Sequence, residues 1–255
     1  MKTSELVADA IREDILDRSL RDHLPKEDEL RARFGVGKAS IREALAILEA
    51  EGLITVRRGN VGGSDIHLPT SASAAYTLGL VLTADSVTLG EVGDAIRVLE
   101  PECAVFCALR EDRAEAVVPL LTRLNDGMEE QLDDAISAVA LSREFHEALV
   151  ANCGNGALSL VTGALERLWS AHEHRWVSEV VHAGNHPTMA ERRDALSFHR
   201  SIADHIERGD PGVREVLATH LSESQPKSAA DRGNLRIDIA PLRARINSPS
   251  GSMTL

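Results

Sequence analysis

The chain has 255 residues, 43% of them apolar, which is enough for two hydrophobic cores, and we expect two domains. Its longest apolar runs fall well short of the roughly 18 residues that cross a bilayer, and the start "MKTSELVADAIRED" is too charged for a signal peptide, so we expect a cytoplasmic protein. The net charge of −12 excludes a broadly basic surface, but residues 1–68 hold 11 basic and 13 acidic side chains while residues 69–225 hold 12 and 25.

Residues 1–68 predict three short helices and a two-stranded ribbon. Leu6, Ile11 and Ile15 recur at helical spacing behind Ser4, a candidate N-cap. The stretch "LPKEDELRARFG" predicts a second helix that ends at its glycine, and "ASIREALAILEAEG" predicts a third. The segments "LITVRR" and "SDIHL" have strand character and flank the tight turn "GNVGG". This order of elements predicts a winged helix-turn-helix domain.

After Leu68 the composition changes to Pro, Ser, Thr and Ala, and we expect a linker over 69–86 with a possible short helix. The rest of the chain, over 87–225, predicts an all-helical domain, so the fold class is mainly α. The predicted helices cover 88–110, 113–131, 133–152, 156–181, 188–208 and 211–224. Residues 226–255 are polar and predict a flexible C-terminal tail.

The second helix of a helix-turn-helix enters the DNA major groove with its N-terminal residues on base edges. Lys and Arg donate to guanine, Ser reaches a base or a phosphate, and Ala meets a thymine methyl group. The candidate DNA contacts are therefore Lys38, Ala39, Ser40 and Arg42 on the helix, with Arg57, Arg58 and Gly59 at the wing tip. The alternative is a packed helical lobe with a solvated arginine pair, and the ordered set of elements favours DNA.

This segment resembles the GntR family of bacterial transcription regulators. The residues that match the family pattern are Leu24, Pro25, Glu27, Leu30, Gly35, Val36, Lys38, Ile41, Arg42, Glu43, Ala44, Leu45, Leu48, Gly52, Leu53, Arg58 and Gly59. The resemblance implies a winged head that binds an operator. Two positions depart from the pattern: Asp28 and Lys38 stand where arginine is common. Since an aspartate facing a phosphate would repel it, either Asp28 points away or the operator differs from the usual one.

The second half resembles the FadR-type C-terminal effector domain (FCD) of one GntR subfamily, a bundle of six or seven helices. The matching residues are Arg97, Leu99, Glu100, Pro101, Phe145, His146, Leu149, Gly154, Asn155, His199, Ile202, Ile206, Gly209, Asp210 and His220. In many such domains three histidines bind a divalent metal together with an aspartate four residues before the first. The resemblance implies that His146, His199 and His220 take the histidine positions and that Ser142 replaces the aspartate.

Two interpretations of this site stay open. Either three histidines hold a divalent ion, such as Zn, Ni, Cu or Fe, completed by water or an acidic effector, or the metal is lost and the histidines bind an anion directly. The candidate effector-binding residues are Arg97, Ser142, His146, His199 and His220. Arg97 matches an inward-facing arginine that would clamp a carboxylate; the alternative is a salt bridge to a nearby acid.

These patterns together predict a ligand-responsive transcription regulator and not an enzyme. We expect a repressor that binds a palindromic operator as a homodimer and responds to a small carboxylate or acyl metabolite. One alternative is a metal-sensing regulator without an organic effector. Another is a metal-dependent hydrolase, but no carboxylate base stands at a recognisable spacing and the winged head would be unexplained.

Overall fold

A computed structural model of the protein describes residues 1–57, 63–183, 187–224, 235–240 and 242, with the backbone alone over 173–183. The chain divides into two compact units, Met1–Thr70 and Ser71–Leu255. Each unit has a hydrophobic core of its own. Among the described residues, no helix combines the length and the apolar character needed to cross a bilayer.

The first unit consists of three helices and one antiparallel pair of strands. In chain order they are α1 (Thr3–Leu16), α2 (Glu27–Phe34), α3 (Lys38–Ala50), β1 (Ile54–Arg57) and β2 (Gly63–Ile66). Gly35 ends α2 with a φ of 66°, a left-handed conformation that glycine adopts without strain. In the ribbon, Ile54 pairs with Ile66 and Arg57 with Gly63. The predicted winged helix-turn-helix is confirmed.

The core of the first unit forms between α1, α2 and α3. Its most buried side chains include Val7, Ile11, Ile15, Leu30, Ile41 and Leu48. The predicted cap at Ser4 was wrong, because α1 begins at Thr3 with Lys2 at the N-cap, and Ser4 lies buried in the first turn. Leu6 is half exposed, since Val7 occupies the face of α1 that meets the core.

The second unit is helical, which confirms the predicted fold class. Its described helices are α4 (Ser71–Ala84), α5 (Leu89–Leu109), α6 (Arg113–Ala116), α7 (Val118–Glu130), α8 (Ala135–Ala151), α9 (Gly156–Ala183), α10 (Met189–Arg208) and α11 (Val213–Ser224). The helix predicted over 113–131 is broken at Val117. Pro119 explains the break: it lacks an N–H group, and its ring disfavours helical backbone before it, so it is accommodated in the first turn of α7.

The possible short helix expected within the linker over 69–86 is present, since α4 has 14 residues and packs against α9. The expected flexible tail is ordered where it is described, because Ile237 and Leu242 are buried against α5 and α9. Leu168 of α9 is fully buried in the same cluster. Apolar burial therefore places both segments against the bundle.

The main core of the second unit lies between α5, α7, α8, α10 and α11. Phe145 and Leu149 of α8 meet Ile202 and Ile206 of α10 there, and all four side chains are fully buried. This core borders the predicted histidines, because the ring of Phe145 stacks on the ring of His199 with centroids 4.2 Å apart. The core therefore fixes the helices that carry the predicted histidines.

Candidate DNA-binding face and buried histidine centre

The first turn of α3 carries four of the predicted DNA contacts. The helix begins at Lys38, directly after its N-cap Gly37. The Lys38 and Arg42 side chains are 55% and 64% exposed, Ala39 is exposed and Ser40 is half-buried. The first N–H groups of a helix lack intrahelical partners and carry a partial positive charge. This end of α3 therefore combines two cations with a helix N-terminus, an arrangement that suits a polyanion.

Glu27, the first residue of α2, joins the two cations. Its Oε1 atom lies 3.1 Å from Nζ of Lys38, and its Oε2 atom lies 3.3 Å from Nε of Arg42. The contact with Lys38 is the main cause that lowers the pKa of the Glu27 carboxyl below its ordinary value. Sequence patterns gave Glu27 only as a match to the family motif and did not indicate this contact.

Asp28 lies beside this group but does not belong to it. Its side chain is 89% exposed and pairs with Arg31 of the same helix, with 3.2 Å between Oδ1 and Nη1. At the wing, Arg57 forms an ion pair with Asp65 of the facing strand, and His23 contacts the same carboxylate at 2.8 Å. The predicted contacts Arg58 and Gly59 lie outside the described residues.

The three predicted histidines converge inside the second unit. His146 comes from α8, His199 from α10 and His220 from α11. Nε2 of His220 lies 3.2 Å from Nε2 of His199 and 3.3 Å from Nε2 of His146. One ring nitrogen from each residue lies within 4.8 Å of the other two. His199 and His220 are buried and His146 is partly buried.

The charge of this centre is controlled by burial. Burial, which removes water from the charged form, is the main reason that the pKa of His199 lies well below its ordinary value, and the neighbouring histidines lower this pKa further. Burial also lowers the pKa of His220, to about 3. Both imidazoles are therefore neutral around pH 7, which is the form that binds a metal through a ring nitrogen.

The donor set fits a divalent cation. His146 donates from Nδ1 to the carboxylate of Glu100, which is almost fully buried, and its Nε2 atom then carries a lone pair. A proton on Nε2 of His220 could serve only one of its two histidine neighbours, whereas a cation between the rings would satisfy all three atoms. Zinc ligands at tetrahedral angles lie about 3.3 Å apart, close to the two short separations. Glu100 fits the carboxylate that orients a metal-binding histidine.

Two other predicted effector residues lie on neighbouring helices. Ser142 is half-buried on α8, one turn before His146. Arg97 of α5 forms an ion pair with Asp94 of the same helix, which is the alternative that the sequence left open. The three histidines come together as expected, and the site has no carboxylate at position 142.

Two features of this region were not predicted from the sequence. The first is the contact of Glu100 with His146, which joins residues 46 positions apart and leaves no local pattern. The second is a buried polar stripe on α9, formed by Thr162, Glu166 and Ser170. Its spacing of four residues is a helical signal that could have indicated a shared inward face.

Comparison with known proteins agrees with both units. Residues 3–61 match the model of the bacterial regulatory proteins of the gntR family, and residues 91–223, just over half of the chain, match the FCD domain. The HTH-type transcriptional repressor NanR of Citrobacter rodentium is 26% identical over 233 residues, covering 87% of this chain and 83% of that protein. NanR of Escherichia coli K12 is 26% identical over 229 residues, covering 87% and 82%.

The fold also has a solved counterpart. A GntR protein of Streptococcus agalactiae superposes with a TM-score of 0.65 at 22% identity, covering 88% of this chain and 99% of that one. This likeness supports the architecture of a winged head followed by a helical domain. The chain therefore belongs to the GntR family of bacterial transcription regulators and carries an FCD effector domain, so it is a ligand-responsive DNA-binding regulator.

Proposed function

We propose that the protein is a homodimeric repressor that binds a palindromic operator and releases it when a small carboxylate or acyl metabolite binds the helical unit. The observation that carries this proposal is the pair of cations, Lys38 and Arg42, held side by side at the exposed start of α3. Support also comes from relatives named transcriptional repressors. A two-fold dimer places two such helices about 34 Å apart, one turn of DNA, and so selects a palindrome.

In this proposal, some residues of the winged head contact base edges and others contact the DNA backbone. Lys38 and Arg42 donate to guanine edges, Ser40 to a base or phosphate, and Ala39 contacts a thymine methyl group. Arg57, with Arg58 and Gly59 of the wing tip, contacts the backbone or the minor groove. Asp28 pairs with Arg31 of the same helix and takes no part in these DNA contacts.

The DNA interface is tested by Arg42→Ala. A fragment selected from the genomic DNA of the source organism by the wild-type protein is the probe. We expect Arg42→Ala to weaken binding by at least about tenfold, because a good contact to the correct base contributes about 1–3 kcal/mol of discrimination. Arg200→Ala is the matched control, since Arg200 is also an exposed arginine with a carboxylate partner but lies in the helical unit. Equal binding by both variants in gel shifts would refute the assignment of α3.

For the effector site, we propose that His146, His199 and His220 hold a divalent ion. Glu100 fixes the ring of His146 by accepting its Nδ1 proton, and Phe145 stacks on the ring of His199. A bound divalent ion would supply positive charge and open coordination positions to an acidic effector. Ser142 leaves that side of the centre without a fixed negative charge, which favours an anionic ligand, and Arg97 lies on the adjacent helix α5 as a further cation.

The second candidate function is a metal sensor without an organic effector, and the neutral, convergent histidines favour it equally. Calorimetry of metal-free protein with divalent ions, and then with small carboxylates in the presence and absence of metal, separates the two. Binding of a small carboxylate that depends on bound metal would support the proposed effector site. Tight metal binding with no response to any acid would support the sensor. In either case, a coupling of about 1–3 kcal/mol changes operator affinity roughly 5- to 150-fold.

A further inference from the structure

Glu27 occupies an unusual position relative to the two cations of α3. It is the first residue of α2, and Leu30, one turn later, anchors that helix in the core. Each oxygen of the Glu27 carboxylate contacts a different cation, Lys38 at 3.1 Å and Arg42 at 3.3 Å. Its Oε1 atom is buried, while the Lys38 and Arg42 side chains are exposed. The carboxylate therefore lies between two long, flexible side chains.

This contact orders the side chains that the proposed interface uses. Lys38 and Arg42 are four residues apart on α3, so they share a face and repel each other. Each carries about 2 kcal/mol of rotamer entropy when it moves freely. Glu27 offsets the repulsion and restricts both rotamers before DNA binds. Since Arg42 uses Nε for this contact, its two terminal nitrogens remain for an acceptor such as guanine O6 and N7.

The same carboxylate weakens attraction to the phosphate backbone. Glu27, Lys38 and Arg42 together carry a net charge of +1, whereas the two cations alone carry +2. Backbone affinity that does not depend on sequence rises with the number of cations that contact phosphates. Glu27 competes with the phosphates for these cations on DNA of any sequence. A base edge that matches the fixed positions of the two cations loses less affinity through this competition.

We propose that Glu27 is a positioning residue that raises operator specificity by holding Lys38 and Arg42 in place, at the cost of weaker binding to DNA of unrelated sequence. The proposal rests on the DNA interface proposed above and acts through these two side chains. It differs from a role in folding, because it predicts opposite effects on the two kinds of DNA.

The test compares Glu27→Gln with Asp28→Asn in the full-length protein. Both substitutions remove one negative charge from the first turn of α2, but Asp28 is 89% exposed and contacts Arg31 instead of the α3 cations. One probe is the genomic fragment selected by the wild-type protein, and the other is a random-sequence duplex of the same length. Affinities for both are measured from 50 to 200 mM salt, and thermal unfolding of each variant checks the fold.

For Glu27→Gln, we expect binding to the random duplex to tighten about threefold or more at low salt. The slope of the logarithm of the binding constant against the logarithm of the salt concentration should steepen by about 0.9 for each added phosphate contact. The ratio of specific to non-specific affinity should fall roughly tenfold, because Lys38 and Arg42 lose their fixed positions. Asp28→Asn should change the ratio less than threefold. Glu27→Ala, which places no oxygen between the cations, should reproduce the Gln result.

Equal changes in Glu27→Gln and Asp28→Asn would overturn the inference while leaving the proposed function intact. A fall in affinity for both probes together, with a lower unfolding temperature, would also overturn it, since that pattern indicates a purely structural role. Wild-type protein that prefers no genomic fragment over the random duplex would instead refute the proposed function, and the inference would fall with it.

Discussion

At residue 142 a serine hydroxyl lies one helical turn before His146, so the two residues share a face of α8. A hydroxyl is a poor ligand for a divalent ion, whereas a carboxylate is a common one. We expect Ser142→Asp to raise the affinity for Zn²⁺ by at least about tenfold, the scale on which single groups at metal sites act. Ser142→Asn is the control for side-chain size. Calorimetry that finds the same zinc affinity in both variants would mean that position 142 does not face the centre.

Single residues also show what the sequence could and could not predict about this site. His146, His199 and His220 were found because they match a known family pattern, and the structure brings them together. Glu100 matched the same pattern, but its contact with His146 depends on how α5 packs beside α8, which no local spacing encodes. The contact of Glu27 with the α3 cations has the same origin: it depends on the angle between two helices.

At the scale of elements, the crossing of α5 and α9 depends on Gly93. A Cβ atom at this position would lie 2.8 Å from Cζ3 of Trp169, and the rigid ring cannot yield as an aliphatic chain would. Alanine normally stabilises a helix interior by about 0.5–1 kcal/mol relative to glycine, but overpacking costs about 1–3 kcal/mol, so the clash should dominate. We expect Gly93→Ala to lower the unfolding temperature by several degrees. Gly156→Ala, at the start of α9, should not lower it, because among the described residues no atom beyond the helix itself and the neighbouring residues lies within 4 Å of the added Cβ.

The polar stripe on α9 predicts a stability that depends on pH. Desolvation raises the pKa of Glu166 well above its ordinary value, helped by Glu100 of α5 and Glu147 of α8 and opposed by Arg167. The folded state therefore keeps a proton that the unfolded state loses above about pH 4.3. The contribution of Glu166 to the free energy of unfolding is complete below that pH and declines as the pH rises through the folded-state pKa. Oε1 of Glu166 also lacks a hydrogen-bond partner among the described residues.

Replacing this carboxyl by an amide should remove the decline. We expect the unfolding temperature of Glu166→Gln, relative to wild type, to increase between pH 5 and pH 8, measured by calorimetry at constant ionic strength. Glu144→Gln removes one carboxylate from the exposed side of α8 and controls for the change in net charge. An identical pH dependence in the two variants would contradict the role of burial at Glu166.

Helix boundaries were predictable where a residue acts on its own backbone. Gly35 ends α2 with left-handed backbone, as the sequence indicated. Gly209 ends α10 in the same way, directly after the helix predicted over 188–208. The break at Val117 was missed, although Pro119 is its local cause. The sequence predicted α4 only as a possible short helix and did not predict the order of Ile237, because both are buried against a distant helix. Tertiary packing therefore determines whether a segment that looks like a linker or a tail by composition is ordered.

At the scale of the whole molecule, the two units differ in charge as well as in core. Residues 1–68 are nearly balanced, whereas residues 69–225 hold 25 acidic and 12 basic side chains. An acidic helical unit repels a duplex, so the proposed DNA contact depends on a few placed cations in the head instead of a diffuse field. This division fits a regulator in which one unit binds the operator and the other binds the effector.

Separate cores predict separate responses to a metal. A ligand that binds only the folded state stabilises the unit that holds it, by about 2.7 kcal/mol at a concentration of 100 times Kd. We expect calorimetry of metal-free protein to show two transitions, and saturating Zn²⁺ to raise that of Ser71–Leu255 by about 5–10 °C while leaving that of Met1–Thr70 in place. His199→Ala should abolish the shift, because it removes one of three converging ligands. A zinc-induced shift of similar size in His199→Ala would mean that the ion binds elsewhere.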